Sequence, residues 1–187
     1  MKLILASRSP QRRAILEQLG VAFTVRAPDV AEDATGEPGA LALANALRKA
    51  HAAVGDPAET VLGVDTVVAL EGEVFGKPFD EDAARSVLTR LAGRTHAVHS
   101  GVALLHAGQQ RTASAVTWVT FRPLDGAQVA AYVATGEWRE RAGGYAIQGR
   151  GAIVVRRIEG DYLNVVGLPV AALIDLLPAL LGPLTAR

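Results

Sequence analysis

The sequence predicts an α/β fold in a single domain. Segments typical of β-strands and of amphipathic helices follow one another along all 187 residues, and this length suffices to bury a sizeable core. Hydrophobic residues make up 50% of the chain and charged residues 20%, which is ordinary for a globular protein. Because no repeat, low-complexity tract or linker interrupts it, we expect one domain over residues 1–187.

The composition argues against several classes of function. Lys plus Arg and Asp plus Glu both number 19, so the chain has no net field that would recruit nucleic acid or an anionic membrane. The absence of cysteine excludes disulfides, thiolate nucleophiles and zinc–thiolate sites. The apolar part of the N-terminus is too short for a signal peptide, and no apolar run reaches the roughly 18 residues of a membrane span. We therefore expect a cytoplasmic protein that binds neither nucleic acid nor membrane.

The N-terminal segment predicts a strand followed by a helix that binds an anion. Residues 2–6 have a strand pattern, and Ser9 and Pro10 suit the N-cap and first helical position. Arg12 and Arg13 lie in the first turn, where cations oppose the helix dipole. Free backbone N–H groups together with guanidinium groups favour phosphate. The alternative is that both arginines are solvated surface residues.

An acidic loop and a second helix come next. Residues 23–26 predict a strand, and residues 29–37 form an acidic loop that contains Glu32. A helix is predicted over residues 38–54, with Lys49 near its C-terminal end, where a cation suits the dipole. A solvated loop and a favourable helix end are the structural alternatives for these two residues.

The central stretch, residues 61–68, predicts two buried strand segments separated by Asp65. An ionised carboxylate is too costly to bury unpaired, so Asp65 either caps a turn or reaches a cleft. Lys77 follows across a hairpin predicted at residues 71–73. An acid and a cation near one sheet edge suit phosphate and metal chemistry, and the sequence therefore favours the cleft.

The C-terminal half predicts further strands and helices around a glycine-rich segment. The helices are predicted at residues 80–91, 125–135 and 169–181, and the strands at residues 95–105, 111–121 and 152–158. Five glycines within residues 136–151 let the backbone approach a ligand closely, although a long surface loop is the alternative. The spacing of His96, His99 and His106 is not typical of a metal motif and predicts structural roles.

Six motifs occur along the chain in the order typical of one family. They are Leu5-Ala6-Ser7-x-Ser9-Pro10-x-Arg12, Gly63-x-Asp65-Thr66-Val67-Val68, Gly76-Lys77-Pro78, Thr95-His96-x-Val98-x-Ser100-Gly101, Ala142-Gly143-x-Tyr145-x-Ile147-Gln148-Gly149 and Gly160-Asp161-Tyr162-x-Asn164-Val165-Val166-Gly167-Leu168-Pro169. Any one of them alone is a weak signal, whereas six in order are very specific. Over residues 3–177 the chain resembles the Maf family of nucleoside triphosphate pyrophosphatases.

The resemblance implies a fold, a reaction and an assembly. The fold is like that of inosine-triphosphate pyrophosphatases, with an elongated mixed sheet flanked by helices and a cleft between two lobes. The reaction is hydrolysis between the α- and β-phosphates of a nucleoside triphosphate, in a house-cleaning role. A divalent metal, Mg²⁺ or Mn²⁺, is expected to assist, and a homodimer is the expected assembly.

The resemblance also implies roles for particular residues. The family's catalytic aspartate, the expected proton acceptor, falls on Asp65, and its acidic loop residue falls on Glu32; both are expected metal ligands. The phosphate-contacting residues fall on Ser7, Arg12, Lys49 and Lys77, with Lys77 also in the catalytic set. The branch of the family that acts on dTTP and UTP has its specificity positions at Gln11, Thr66 and Gln148. The sequence leaves open whether Asp65 is a base, a ligand or both.

Three positions depart from the family pattern. Gln11 stands where the family usually has Arg, Arg141 replaces a Lys, and Ala31 replaces an acid before Glu32. Thr66 still matches the branch for pyrimidine nucleotides, as does Gln148. A Maf enzyme with another base preference, such as 7-methyl-GTP, is one alternative. A nucleotide-binding regulator of septum formation that acts through a partner is another.

Overall fold

The structure, a computed structural model, describes residues 2–181. Within this range it contains seven β-strands and six α-helices. The strands are β1 (Leu3–Leu5), β2 (Phe23–Val25), β3 (Thr60–Leu70), β4 (Glu73–Phe75), β5 (Thr95–His106), β6 (Gln109–Phe121) and β7 (Val155–Glu159). The helices are α1 (Pro10–Gln18), α2 (Pro38–Ala52), α3 (Glu81–Leu91), α4 (Gly126–Val133), α5 (Tyr162–Val166) and α6 (Val170–Leu176).

All seven strands belong to one mixed sheet in the order β2-β1-β3-β5-β6-β7, with β4 paired to β3. Strand β1 runs parallel to β2 and β3, and the other pairs are antiparallel. The long strands β3, β5 and β6 form an elongated spine, in which β5 pairs with β6 from Thr95 to His106. The α/β class with an elongated mixed sheet flanked by helices is therefore confirmed.

Helix α2 lies unusually close to this spine because small residues face each other. A Cβ atom placed on Gly63 of β3 would lie 2.1 Å from the carbonyl oxygen of Ala46 in α2. A Cβ on Gly101 of β5 would lie 2.4 Å from the Cα of Leu43. Since a larger residue would push the backbones apart, these glycines fix α2 against the centre of the sheet. The polar residues of α2 are thereby held over the middle of β3.

The two largest apolar clusters lie in two lobes that share the long strands. One cluster joins α3 and α4 to β4 and the C-terminal part of β3, with Leu88, Phe121 and Tyr132 among its buried members. The other joins α1 and α6 to β1 and the N-terminal part of β3, with Leu16 and Leu173 among its fully buried members. The predicted cleft lies between these lobes. Within residues 2–181, no helix has both the length and the apolar character that a membrane crossing requires.

The structure differs from the sequence prediction most clearly in three elements. Strand β3 is continuous through Asp65, where an interruption was predicted. Residues 162–166, for which no helix was predicted, form α5, and its C-cap Gly167 has a φ of 125°. The last predicted helix ends at Leu176, because the following proline, Pro178, disfavours helical backbone at the residue before it. Beyond it, the 3₁₀ turn Pro178–Leu181 continues the chain.

Candidate functional site

A cleft of about 900 Å³ lies between the two lobes. The end of β1, the first turn of α1, the acidic loop, the middle of β3 and the glycine-rich segment all contribute to its walls. A volume of this size is typical of small-molecule sites. Most of the residues singled out from the sequence line it, namely Ser7, Gln11, Arg12, Glu32, Lys49, Asp65, Thr66 and Lys77.

Asp65 lies in the middle of β3 and is only 5% exposed. Its Oδ1 atom accepts a hydrogen bond from Lys49 Nζ at 2.6 Å, and its Oδ2 atom accepts one from Asn45 Nδ2 at 3.3 Å. These partners explain how a carboxylate occupies a buried strand without interrupting it, because its charge is paired and hydrogen-bonded. The structure therefore places Asp65 in a cleft and not at a turn.

Lys49 joins the two predicted catalytic acids. Its ammonium group lies 2.7 Å from Glu32 Oε1 as well as 2.6 Å from Asp65 Oδ1. Burial raises the pKa of Glu32. The hydrogen bond and charge of Lys49, with the charges of Lys77 and Arg12, together outweigh this effect, so the net shift of the pKa is downward. Lys49 is thus a cation between two carboxylates and not only a favourable charge at a helix end.

Arg12 turns inward from the first turn of α1 and is 8% exposed. Its guanidinium group donates to Ser7 Oγ at 3.0 Å, to the Gly167 carbonyl oxygen at 2.8 Å and to Thr66 Oγ1 at 3.1 Å. Burial lowers the pKa of Arg12, while the charges of Asp65 and Glu32 oppose that shift. Within residues 2–181, no carboxylate forms a direct ion pair with Arg12, so neutral acceptors orient a cation that is left for an anionic ligand.

Lys77 and Arg141 line another part of the cleft wall. The Lys77 ammonium group is half exposed and lies 3.7 Å from Glu140 Oε2. The Nε atom of Arg141 is buried and has no hydrogen-bond partner, and burial lowers the pKa of this guanidinium group. An unpaired donor of this kind suits an anionic or carbonyl ligand. Arg141 replaces the lysine of the family pattern and therefore keeps a cation in the cleft.

Two residues predicted for the site do not line the cleft. Arg13 is exposed and pairs with Glu17 at 3.4 Å across one turn of α1. Since consecutive helical residues are about 100° apart, Arg12 and Arg13 point in different directions, and the geometry favours the solvated alternative for Arg13. Gln148 is exposed as well, because the glycine-rich segment buries its neighbour Ile147 instead.

The other two predicted specificity residues do reach the cleft. The hydroxyl of Thr66 accepts from Arg12 and lies 2.9 Å from Ser100 Oγ, so Thr66 orients the guanidinium group. Gln11 lines the cleft, and its Oε1 atom accepts a hydrogen bond from Ser9 Oγ at 3.0 Å. A direct contact with a nucleotide base stays a prediction for both residues.

Two contributors to the site were missed or given too little weight from the sequence. Asn45 was not singled out, although it precedes Lys49 by four residues and therefore lies on the same face of α2. A buried polar residue on an otherwise alanine-rich face is the signal that would have found it. Arg141 was noted only as a departure from the family pattern, and its position in the cleft wall depends on the fold of the glycine-rich segment.

The structural interpretation of the histidines agrees with the geometry of His96. Its Nε2 atom lies 2.9 Å from Tyr145 Oη in the core, and burial lowers its pKa to about 4. A neutral imidazole at physiological pH thus supports the tyrosine in the cleft wall. His106 contacts Thr60 Oγ1 at 3.1 Å, at the N-terminal end of β3 and outside the cleft.

The carboxylates fit a divalent cation that arrives with a ligand. Within the described part of the chain, no group of three or more acidic or histidine side chains is arranged to hold a metal by itself. Mg²⁺ in phosphate-processing sites is commonly held by one or two carboxylates, with water and substrate phosphates supplying the other oxygens. Glu32 and Asp65 meet this requirement, because both carboxylates contact the same ammonium group in the cleft.

Comparisons with known proteins agree with this architecture. The family model described as Maf-like protein matches residues 2–180. A dTTP/UTP pyrophosphatase of Moorella thermoacetica is 49% identical over 181 residues, which cover 94% of this chain and 93% of that relative. A dTTP/UTP pyrophosphatase of Pyrococcus furiosus is 42% identical over 179 residues, which cover 94% of each chain.

The fold also has a counterpart among solved structures. A HAM1 protein from Coxiella burnetii matches with a TM-score of 0.53 at 18% identity, covering 98% of this chain and 99% of that one. This likeness concerns the fold alone. The match to the family model and the identity to its relatives extend over nearly the whole chain. The chain therefore belongs to the Maf-like protein family.

Proposed function

We propose that this protein hydrolyses nucleoside triphosphates to nucleoside monophosphate and pyrophosphate, with dTTP and UTP preferred among the common nucleotides. The observation that carries the proposal is the buried Asp65 carboxylate, hydrogen-bonded to Lys49 and Asn45 in the wall of a large cleft. The cations of Arg12 and Lys77 line the same cleft. Relatives that share 42–49% of their residues with this chain and are named dTTP/UTP pyrophosphatase support the choice of substrate.

Binding of the triphosphate relies on a cation set with fixed geometry. Arg12 is held by Ser7, Thr66 and the Gly167 carbonyl, so its guanidinium group is oriented before a ligand arrives. Preorganised donors stabilise the charge on phosphate oxygens more than mobile groups do. Lys77, which is half exposed, supplies a second cation. We propose that these groups neutralise the phosphates while the base lies elsewhere in the cleft.

The chemical step needs a positioned water and a proton acceptor. In the proposed reaction the water oxygen bonds to the α-phosphorus, and Asp65 accepts the proton that the water loses. The bond from the α-phosphorus to the bridging oxygen breaks, and pyrophosphate leaves with its electron pair. Proton acceptance by a positioned group contributes about 10²- to 10⁴-fold. Lys49 and Asn45 each occupy one side of the carboxylate and so fix its orientation.

We further propose that Glu32 and Asp65 hold a divalent cation, Mg²⁺ or Mn²⁺, when the triphosphate binds. Such a cation neutralises phosphate charge and lowers the pKa of a bound water. The two acids are suited to it because carboxylate oxygens are the ligands that hard cations prefer. Asp65 then combines the roles of ligand and base.

The wider setting of the enzyme is also a proposal. We propose that residues 1–187 act as one domain, that the protein is a homodimer, and that it works in the cytoplasm in nucleotide house-cleaning. The family resemblance supports the dimer, and size-exclusion chromatography with light scattering measures it. A monomer at micromolar concentration would contradict this part of the proposal.

A panel of nucleoside triphosphates assayed for pyrophosphate release tests the function. We expect turnover to be fastest for dTTP and UTP, with the monophosphate and pyrophosphate as the products. Nucleoside diphosphate and orthophosphate would show that the wrong bond was assigned. Tight binding of nucleotides without turnover of any of them would favour the regulator alternative.

A further inference from the structure

Asn45 has a more extensive set of contacts than a residue that merely fills space on α2. It is 2% exposed, and its Nδ2 group donates to the Asp33 carbonyl oxygen at 3.0 Å and to Asp65 Oδ2 at 3.3 Å. Its Oδ1 atom accepts from the Asp33 N–H at 2.9 Å and from Arg48 Nη1 at 2.9 Å. An asparagine amide has two donor hydrogens and two acceptor lone pairs, and here all of them are used.

This pattern determines which way the amide of Asn45 points. Rotating the amide by half a turn would place its NH₂ group against the donors of Asp33 and Arg48. It would also place its oxygen against the Asp33 carbonyl and the Asp65 carboxylate, so every contact would become repulsive. The backbone of Asp33 is therefore bound at both its N–H and its C=O by a side chain that also contacts Asp65.

Arg48, three residues further along α2, strengthens the same connection. Besides Asn45, its Nη1 atom donates to the Ala31 carbonyl oxygen at 3.0 Å, and its Nη2 atom pairs with the Asp33 carboxylate. Residues 31 and 33 are thus tied to the helix on both sides of Glu32. The helix itself is fixed to β3 and β5 through Gly63 and Gly101. A continuous set of contacts runs from the sheet to the acidic loop.

We propose that Asn45, assisted by Arg48, is a positioning residue that sets the separation of Glu32 and Asp65 on either side of Lys49. This inference rests on the proposed function and deepens it. A misplacement of about 1 Å in a catalytic constellation can cost about 10²-fold in rate. Without the buried amide, the acidic loop would be held to α2 mainly by partly exposed ion pairs, which fix a geometry weakly. Asn45 contacts both the proposed base and the loop that carries its partner acid.

The most informative variant is Asn45→Asp, because it keeps the size and the acceptor oxygens and removes both donors. The new carboxylate would face Asp65 and the Asp33 carbonyl oxygen. We expect kcat for dTTP to fall about 10- to 100-fold. We expect KM to change by less than about threefold, because Ser7, Arg12 and Lys77 keep their contacts.

Arg48→Met is a second variant for which folding is secure, because the Arg48 side chain is partly exposed. It removes the contacts to Ala31, to Asp33 and to Asn45 Oδ1 but leaves the hydrogen bond from Asn45 to Asp65. We expect a smaller fall in kcat, about 3- to 10-fold, again with little change in KM. The matched control is Glu59→Gln, which disturbs a buried carboxylate at the start of β3, outside the cleft. We expect the control to lower thermal stability and to leave kcat and KM within about twofold of the wild type.

Hydrogen exchange tests the contact itself without any turnover. The backbone N–H of Asp33 donates to Asn45 Oδ1, so we expect this amide to be protected in the wild type. In Asn45→Leu the acceptor is lost, and the amide should exchange at least about tenfold faster. An Asp33 amide that exchanges equally fast in both proteins would overturn the inference, whether or not the wild type hydrolyses nucleotides.

The kinetic results separate this inference from the proposed function. If the wild type hydrolyses dTTP while Asn45→Asp and Arg48→Met keep kcat within about twofold, the inference is wrong and the function stands. A fall in kcat no larger than that of Glu59→Gln at a matched loss of thermal stability would also overturn it. A wild type that hydrolyses none of the nucleotides would contradict the proposed function, and the exchange experiment would still decide the inference.

Discussion

Two buried carboxylates, one just before β3 and one in its middle, show what distinguishes a supporting ion pair from a candidate active site. Glu59 directly precedes the strand, and Asp65 lies in its middle, about 20 Å further along at the usual rise per residue. Both are 5% exposed, and both bind cations. Burial and charge pairing therefore do not separate the two.

The difference lies in how much of each carboxylate is already used. Glu59 accepts two hydrogen bonds from Arg26, one from Lys2 and one from the Asp56 N–H, which fill both of its oxygens. The hydrogen bonds of Arg26 and Lys2 lower the pKa of Glu59 to about 2.

Asp65 accepts one hydrogen bond from an ammonium that it shares with Glu32 and one from an amide. It also lines the cleft, so lone pairs remain for a water or a cation. A buried acid with unfilled oxygens beside a cavity can bind a ligand, whereas an acid whose oxygens are all occupied by the protein cannot.

The largest expected effect comes from Asp65→Asn. Because the amide cannot accept a proton, we expect kcat to fall by about 10²- to 10⁴-fold, while the fold and nucleotide affinity are largely kept. Steady-state kinetics with dTTP, thermal denaturation and nucleotide titration measure the three quantities. Retention of more than about a tenth of the activity would remove Asp65 from the role of base. Unfolding of the variant would instead assign it the structural role that we give to Glu59.

Removal of divalent cations should come next in size. With EDTA we expect kcat to fall at least about tenfold, and Mg²⁺ or Mn²⁺ should restore it, because Glu32 and Asp65 provide oxygen ligands. Glu32→Gln should raise the metal concentration needed for half-maximal activity. Full activity in EDTA would show that Lys49 alone supplies the positive charge between the two acids.

Adjacent arginines of α1 provide a matched pair of variants. Arg12 lines the cleft, so we expect Arg12→Ala to raise KM for dTTP about 10- to 100-fold through loss of charge-assisted hydrogen bonds. Arg13→Ala should leave KM within about twofold, because Arg13 pairs with Glu17 on the surface. Equal effects of the two substitutions would contradict the placement of the phosphates at this helix end.

A smaller effect is expected on the choice of base. Gln11 lines the cleft where the family pattern has Arg, and an Arg could form stronger, charge-assisted bonds. Gln11→Arg should therefore widen the margin in kcat/KM of dTTP and UTP over other bases by about three- to tenfold. An unchanged margin would remove Gln11 from the specificity residues. A preference of the wild type for CTP or 7-methyl-GTP would overturn the assignment to pyrimidines.

The smallest effect on activity is expected from Glu59→Gln, which should act on stability. The folded-state pKa of Glu59 is lowered from 4.5 to about 2, so its ion pairs stabilise the protein above the unfolded pKa. That stability is lost as the pH falls through this range toward 2. Thermal denaturation should show the variant less stable near neutral pH, with a difference that disappears in acid. A constant difference at every pH would contradict the ion-pair explanation.

Local signals in the sequence predicted much of the fold. The Ser9 cap and Pro10 of α1 appear where expected, and α3 begins within one residue of its predicted start. These features depend on residues within a few positions of one another, and short-range chemistry determines them. The family resemblance predicted the site residues Ser7, Arg12, Lys49, Asp65 and Lys77 together, and the fold gathers them in one cleft.

Features that depend on distant partners were not predicted. The cost of burying Asp65 depends on Lys49 and Asn45, which come from another element, so β3 was wrongly expected to break there. Arg13 was grouped with Arg12 because both are arginines in one turn, although the helix turns them to different sides. The hydrogen bonds of Asn45 to Asp33 join the acidic loop to the helix that follows it, and no sequence pattern indicates them because they depend on how the loop folds back.

The position of attack on the triphosphate tests the account most directly. Hydrolysis of dTTP in water enriched in a heavy oxygen isotope, followed by mass spectrometry of both products, locates the oxygen that the water supplies. If the cleft directs water from Asp65 to the α-phosphorus, the label will appear in the monophosphate and pyrophosphate will be unlabelled. Label in pyrophosphate, or in orthophosphate released with a nucleoside diphosphate, would contradict the proposed chemistry of the cleft.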